Sequence, residues 1–154
     1  MPVTATLMPA TVLDAVHREL IDQLMNTAAP AWFAIADDEE TALLAALDSD
    51  AARDYLASGC ATVDGAWRVF DLLSPLDRST ATPSQAAAVA AVLALAACAL
   101  NMREHGAAHL GQVQDIDAQH PFVELILTEW DRNADAQSFR TAAAAALGAG
   151  TAEV

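Results

Sequence analysis

Two imidazoles and a carboxylate give the chain its only metal-like spacing. His105 and His109 stand four residues apart, with Glu104 adjacent and His120 further on. Histidines at i and i+4 of a helix can share a zinc ion. Gly106, however, predicts a turn that holds His105 and leaves only His109 on a helix. It also occupies the place where an HExxH motif carries its catalytic glutamate. The spacing therefore reads as polar turn residues, and no metal ligand is assigned beyond the candidates His105, His109 and Glu104. The acidic run Asp37, Asp38, Glu39 and Glu40 could in principle hold a divalent cation. Leu43, Leu44 and Leu47 follow it in helical register, so the run is read as a helix start, where carboxylates complement exposed N–H groups. Cys60 and Cys98 lack CxxC spacing and read as reduced, buried small hydrophobes. There is no GxSxG, Walker or GxGxxG sequence, and no serine has a His–Asp constellation. No catalytic residue and no cofactor is assigned.

Charge narrows the function further. The 154 residues carry 21 acids and only 7 bases, all arginine, for a net charge of −14. An average chain of this length has about 19 of each. The excess therefore comes from missing lysines rather than from added acids. Such a chain repels DNA, RNA and anionic membrane surfaces, and no basic cluster offsets that locally. Neither direct nucleic-acid binding nor membrane binding is expected. The first ten residues lack a basic region and a signal-peptide core, which makes the cytoplasm the default compartment.

The elements are built around one stretch, Thr82 to Glu104, TPSQAAAVAAVLALAACALNMRE. Thr82 is a cap, Pro83 suits the first helical position and Gln85 completes a capping box. No charge occurs from Pro83 to Met102. Wound as a helix, Val89, Leu93, Ala96 and Leu100 share one face, while Ala87, Ala91, Ala94 and Cys98 make a row of small side chains opposite. The length would suffice for a membrane span. Most of its residues are alanine, however, and no aromatic belt flanks it, so it is read as a buried central helix.

In chain order, residues 1–10 form a flexible lead-in and Thr11 caps a helix to about Asn26, with Leu13, Val16, Leu20 and Leu24 as its apolar stripe. Residues 31–36 (AWFAIA) hold the only strand-like run, read as a connector around Trp32. A helix follows the acidic run, then one over Ala51–Ser58 stopped by Gly59, then one from Thr62 to Leu73 with Trp67, Phe70 and Leu73 inward. After the central helix, a partner helix from about Ala107 to Ala118 docks through Ala107, Gly111 and Ala118, forming an antiparallel hairpin. Pro121 opens a helix with Phe122, Val123, Ile126, Leu127 and Trp130 on one arc and Leu125 outside it. Asp135 caps the last helix, which Gly148 stops, leaving 148–154 as a disordered tail. The expectation is all-α: one domain over 11–147, a compact bundle of six or seven helices around residues 82–104.

From Ala51 onward the pattern resembles the C-terminal helical part of the actinobacterial domain-of-unknown-function 4192 family. The matching features are Ala-Arg-Asp at Ala52 to Asp54, the lone Trp67, the long Ala/Leu helix, Gly106, and a helix ending at Pro121. About two-thirds of the chain is covered. His120 replaces the acid that commonly precedes the proline, the small residues of the second helix are only partly kept, and the family's larger N-terminal part has no counterpart here. The resemblance implies a tetratricopeptide-like helical arrangement and brings no activity with it.

Three functions are compatible with these readings. The first is a non-catalytic protein–protein interaction module, with a second copy of the chain among its candidate partners. The second is an acidic inhibitor or nucleic-acid mimic of phage or mobile-element origin, which requires carboxylates gathered on one face. The third is a small-molecule-binding bundle with a pocket beside Trp67 or Trp130. The three tryptophans are expected to be core anchors. An exposed one would favour a partner groove.

Overall fold

Thr82 and Gln85 start the element on which the other helices pack. In a computed structural model that describes residues 13–27 and 35–151, with the side chains of 27 and 146–151 set aside, the two residues form a reciprocal cap. Gln85 N–H donates to Thr82 Oγ1 at 3.1 Å, and Thr82 N–H donates to Gln85 Oε1 at 3.1 Å. The described residues form eight α-helices joined by short connections: α1 (Ala15–Thr27), α2 (Asp37–Ala46), α3 (Asp50–Ser58), α4 (Val63–Leu73), α5 (Pro83–Ala99), α6 (Arg103–Ile116), α7 (Pro121–Asp131) and α8 (Ala136–Thr151). A single 3-10 turn, Gly59–Ala61, links α3 to α4. The all-α bundle expected from the sequence is what forms. Residues 1–12 and 28–34, which include the lead-in, Thr11 and Trp32, lie outside the described residues.

Every residue of α5 from Ala87 to Ala99 is buried. The helix touches α3, α4, α6, α7 and α8, and one contiguous core runs from Leu13 to Ala143. A uniformly apolar helix needs neighbours on every side, and this bundle supplies them.

The central helix is shorter than expected. It ends at Ala99, and Met102 to Glu104 belong to the cap and first turn of α6. Asn101 takes φ 62°, Asn101 N–H reaches Cys98 O at 3.1 Å, and Met102 N–H reaches Ala97 O at 2.8 Å. That pair of bonds is a Schellman stop. Asn133, at φ 54°, repeats it after α7, with Ala134 N–H on Glu129 O at 3.0 Å. Asparagine tolerates the left-handed region because its short polar side chain bonds locally. Neither of these two turns uses a glycine.

Gly106 is therefore no turn. It lies buried in α6, where a Cβ would meet Cys98 Sγ at 2.7 Å and Ala94 O at 3.5 Å. The hairpin does form, and the small row of α5 is its contact. The docking face of α6 is Gly106, Leu110 and Val113 rather than Ala107, Gly111 and Ala118. Ala107 and Ala118 are exposed, and nothing lies within 4 Å of a Cβ at Gly111. Gly59 likewise keeps right-handed helical geometry, with Met25 and Val69 crowding the place of its missing side chain.

Other faces turn by one position. Asp14 caps the described start of α1, its Oδ1 accepting from Val16 N–H at 2.7 Å. Leu13, Ile21 and Leu24 are buried while Val16 is 70% exposed. On α7, Leu125 packs partly on the core and Leu127 is exposed. The last helix passes Gly148 and Gly150 and runs to Thr151, because the alanine run before them favours helix and each glycine costs only about 1 kcal/mol.

Candidate functional site

The metal candidates come closer together than the sequence suggested, yet do not form a site. With Gly106 helical, His105 and His109 both lie on α6, one turn apart. His109 Nδ1 is 3.2 Å from Gln112 Oε1, which also accepts from Arg78 Nη1 at 3.4 Å. Burial lowers the pKa of His109, with further lowering from Arg78 and His105. The His105 ring stands edge-on to Phe70, centroids 6.3 Å apart. Glu104 is exposed, one residue round the helix from His105. Among the described residues no cluster of three or more His, Cys, Asp or Glu side chains has metal-binding geometry. His120 sits elsewhere, as the cap of α7.

Other reactive groups serve the fold. Burial pushes the Cys60 thiol far up and the Cys98 thiol up to about 12, so neither is a nucleophile at neutral pH. Of the acidic quartet, Glu39 accepts from Ala36 N–H at 3.1 Å and the rest occupy the first turn of α2. Carboxylates occur on α1, α2, α3, α4, α6 and α7 and in the connections.

Two concavities bear on ligand binding. The larger, about 410 Å³, opens between the starts of α3 and α5 and the α6–α7 junction, with Asp50, Arg53, Asp117 and His120 in its wall. These groups already have partners. Arg53 bonds Asp54 at 2.9 Å and Asp50 at 3.3 Å, and its guanidinium lies 5.0 Å from the Phe122 ring centroid. Phe122 N–H donates to His120 Nδ1 at 3.1 Å, and Gln119 N–H donates to an Asp117 oxygen at 3.0 Å. The cleft is thus a polar joint between helices. The smaller cavity, beside Trp130, is about 50 Å³, room for a water or two and not for an organic ligand. Arg103 covers the Trp130 ring at 5.2 Å.

Trp67 is different. It is 45% exposed, against the expectation that it anchors the core. The core face of α4 is Ala66, Val69, Leu72 and Leu73, and Trp67 falls one step round from it. One turn earlier on the same face, Val63 is 48% exposed. One turn later, half-buried Phe70 meets the Trp67 ring edge-on at 6.2 Å and continues the surface to His105 of α6. The sequence placed Trp67, Phe70 and Leu73 on one apolar arc, and period alone could not say where along that arc the core stops. On α1, the buried Nδ1 of His17 has no hydrogen-bond partner among the described residues.

Neither a protein family, nor a curated protein, nor a solved structure matches this chain. Among the described residues no helix is long and apolar enough to cross a membrane.

Proposed function

We propose that the protein is a non-catalytic helical interaction module that binds another protein through the outer face of α4. The observation that carries this reading is the exposure of Trp67 together with Val63 on one helix face. Tryptophan is the side chain most enriched among residues that dominate binding energy, and an exposed apolar cluster on a folded domain marks a contact surface. Neither the roughly 410 Å³ cleft, whose polar groups are engaged with one another, nor the roughly 50 Å³ cavity beside Trp130 favours small-molecule binding over this reading. Two buried, unpaired cysteines fit a reducing compartment, and we place the protein in the cytoplasm.

A photo-crosslinking residue installed at position 67 in the native cell tests this directly. Adducts of defined mass are expected from position 67 and not from position 114, an exposed site on α6. Equal adducts from both positions, or none from either, would remove the proposal.

A further inference from the structure

Independently of the α4 surface, we propose that the cleft between the starts of α3 and α5 and the α6–α7 junction binds a small hydroxyl-rich molecule without an acidic group, such as a sugar or cyclic polyol. Its volume of about 410 Å³ falls within the ~300–1,000 Å³ of ordinary ligand pockets. The bonds that join the helices here leave one donor over. His120 Nδ1 accepts the Phe122 N–H, so the proton of the neutral ring sits on Nε2. Nε2 has no hydrogen-bond partner among the described residues, yet it is not sealed away as His17 Nδ1 is. His120 is 6% exposed and forms part of the cleft wall, so the opening that Nε2 meets is the cleft. A buried ring locked in one tautomer holds its N–H at a fixed place, and such a fixed donor is what orients a ligand.

The groups around that donor select the chemistry. The carboxylates of Asp50, Asp54 and Asp117 lie near enough to act on the His120 ring, against a single guanidinium, Arg53. Arg53 is already committed. Its Nε and Nη2 bond Asp54 Oδ1 at 3.0 and 2.9 Å, and its Nη1 bonds Asp50 Oδ1 at 3.3 Å. An anion entering the cleft therefore meets surplus negative charge. A simple amine would pair with Asp50 or Asp117, but it brings only donors and leaves the Nε2–H unanswered. A hydroxyl group does both tasks, its oxygen accepting from Nε2 and its proton going to a carboxylate. Asp50 and Asp117 each keep one oxygen for this, since Arg53 and the Gln119 N–H engage the other. Leu47, Ala88 and the exposed Ile116 supply apolar wall for the C–H faces of a ring.

The test uses the full chain, isotope-labelled in nitrogen, and three probes: glucose, glucuronate and cyclohexylamine. An NMR titration is expected to show glucose binding at millimolar concentration with a shift of the His120 Nε2 resonance. The other two probes should bind roughly fivefold more weakly or not at all. His120→Asn, which keeps an acceptor for the Phe122 N–H and removes the Nε2–H, should weaken glucose binding roughly fivefold. Ser84→Phe, which puts a ring into the cleft from an exposed wall position, should abolish it. The exposure of Ser84 favours a folded variant, and circular dichroism checks both chains. Glucuronate or cyclohexylamine binding as tightly as glucose overturns the assigned chemistry and the proposal with it. Glucose binding that survives Ser84→Phe, or that leaves His120 Nε2 unmoved, lies elsewhere on the chain and overturns it too. So does the absence of glucose binding. None of these outcomes bears on the crosslinks from position 67, so the two proposals fail separately.

Discussion

His120 has a structural task that fixes its protonation state. Its Nδ1 accepts the Phe122 N–H, one of the donors left unpaired at the start of α7, and only an unprotonated nitrogen can do so. Burial lowers its pKa, and Arg53 lowers it further, against partial opposition from Asp117, Asp50 and Asp54. The sign follows from linkage. Below the ordinary histidine value the unfolded chain takes up a proton that the folded chain resists. The contribution of His120 to stability is therefore complete above about pH 6.5 and declines as pH falls toward the folded pKa. Replacing it by His120→Asn keeps a capping acceptor and removes the titration. Urea midpoints measured between about pH 7.5 and pH 5.5 should fall less steeply in this variant than in the parent chain. His109, whose pKa is also lowered, contributes to the slope that remains in the variant. Identical slopes in the two chains would mean that His120 does not act as the cap.

The α5–α6 hairpin depends on which glycine lies in the contact. In an open helix interior, glycine to alanine stabilises by about 0.5–1 kcal/mol. Gly111→Ala should show this gain, since a Cβ there meets nothing within 4 Å. Gly106→Ala should instead destabilise by about 1–2 kcal/mol, because its Cβ falls 2.7 Å from Cys98 Sγ. Adding Cys98→Ala to it should recover most of the loss. Denaturation midpoints of the four chains check this, and a Gly106→Ala chain as stable as the parent would contradict the close approach. The same pair shows what could be read in advance. The start of α5 was legible because Thr82, Pro83 and Gln85 act locally, through bonds within one turn. Its end was not, since Asn101 rather than a glycine takes the left-handed position, and nothing in the local sequence marks Gly106 as a packing residue. The hairpin and its small row were foreseen from α5. The residues that fill the row from α6 depended on a helix start that was misplaced by four residues. Trp67 was expected inward with Phe70 and Leu73, and its exposure depends on where neighbouring helices end, which periodicity does not encode.

Across the whole molecule, seven arginines and no lysines provide all the positive charge of the side chains apart from histidine. Six of the seven reach beyond their own element: Arg18 from α1 to α3, Arg53 from α3 to α7, Arg68 from α4 to the end of α1, Arg78 from its connection to α6, Arg103 from α6 to α7, and Arg140 from α8 to the last turn of α5. A planar guanidinium can cover a ring or bond a helix-terminal carbonyl in a fixed orientation, tasks an ammonium performs less well. Trypsin cuts only after lysine and arginine, so in this chain nearly every bond it can attack follows a residue that ties helices together. Arg132 is the exception, and Arg78, though it reaches α6, lies like it outside the helices: Arg78 in the connection after α4 and Arg132 at the turn that ends α7. Limited digestion should therefore begin at these two bonds and leave a nicked but folded chain, whereas cleavage after Arg53 or Arg68 has to wait for the bundle to open. The protease becomes a clock for that opening, with its cutting sites set by the same side chains that hold the bundle shut.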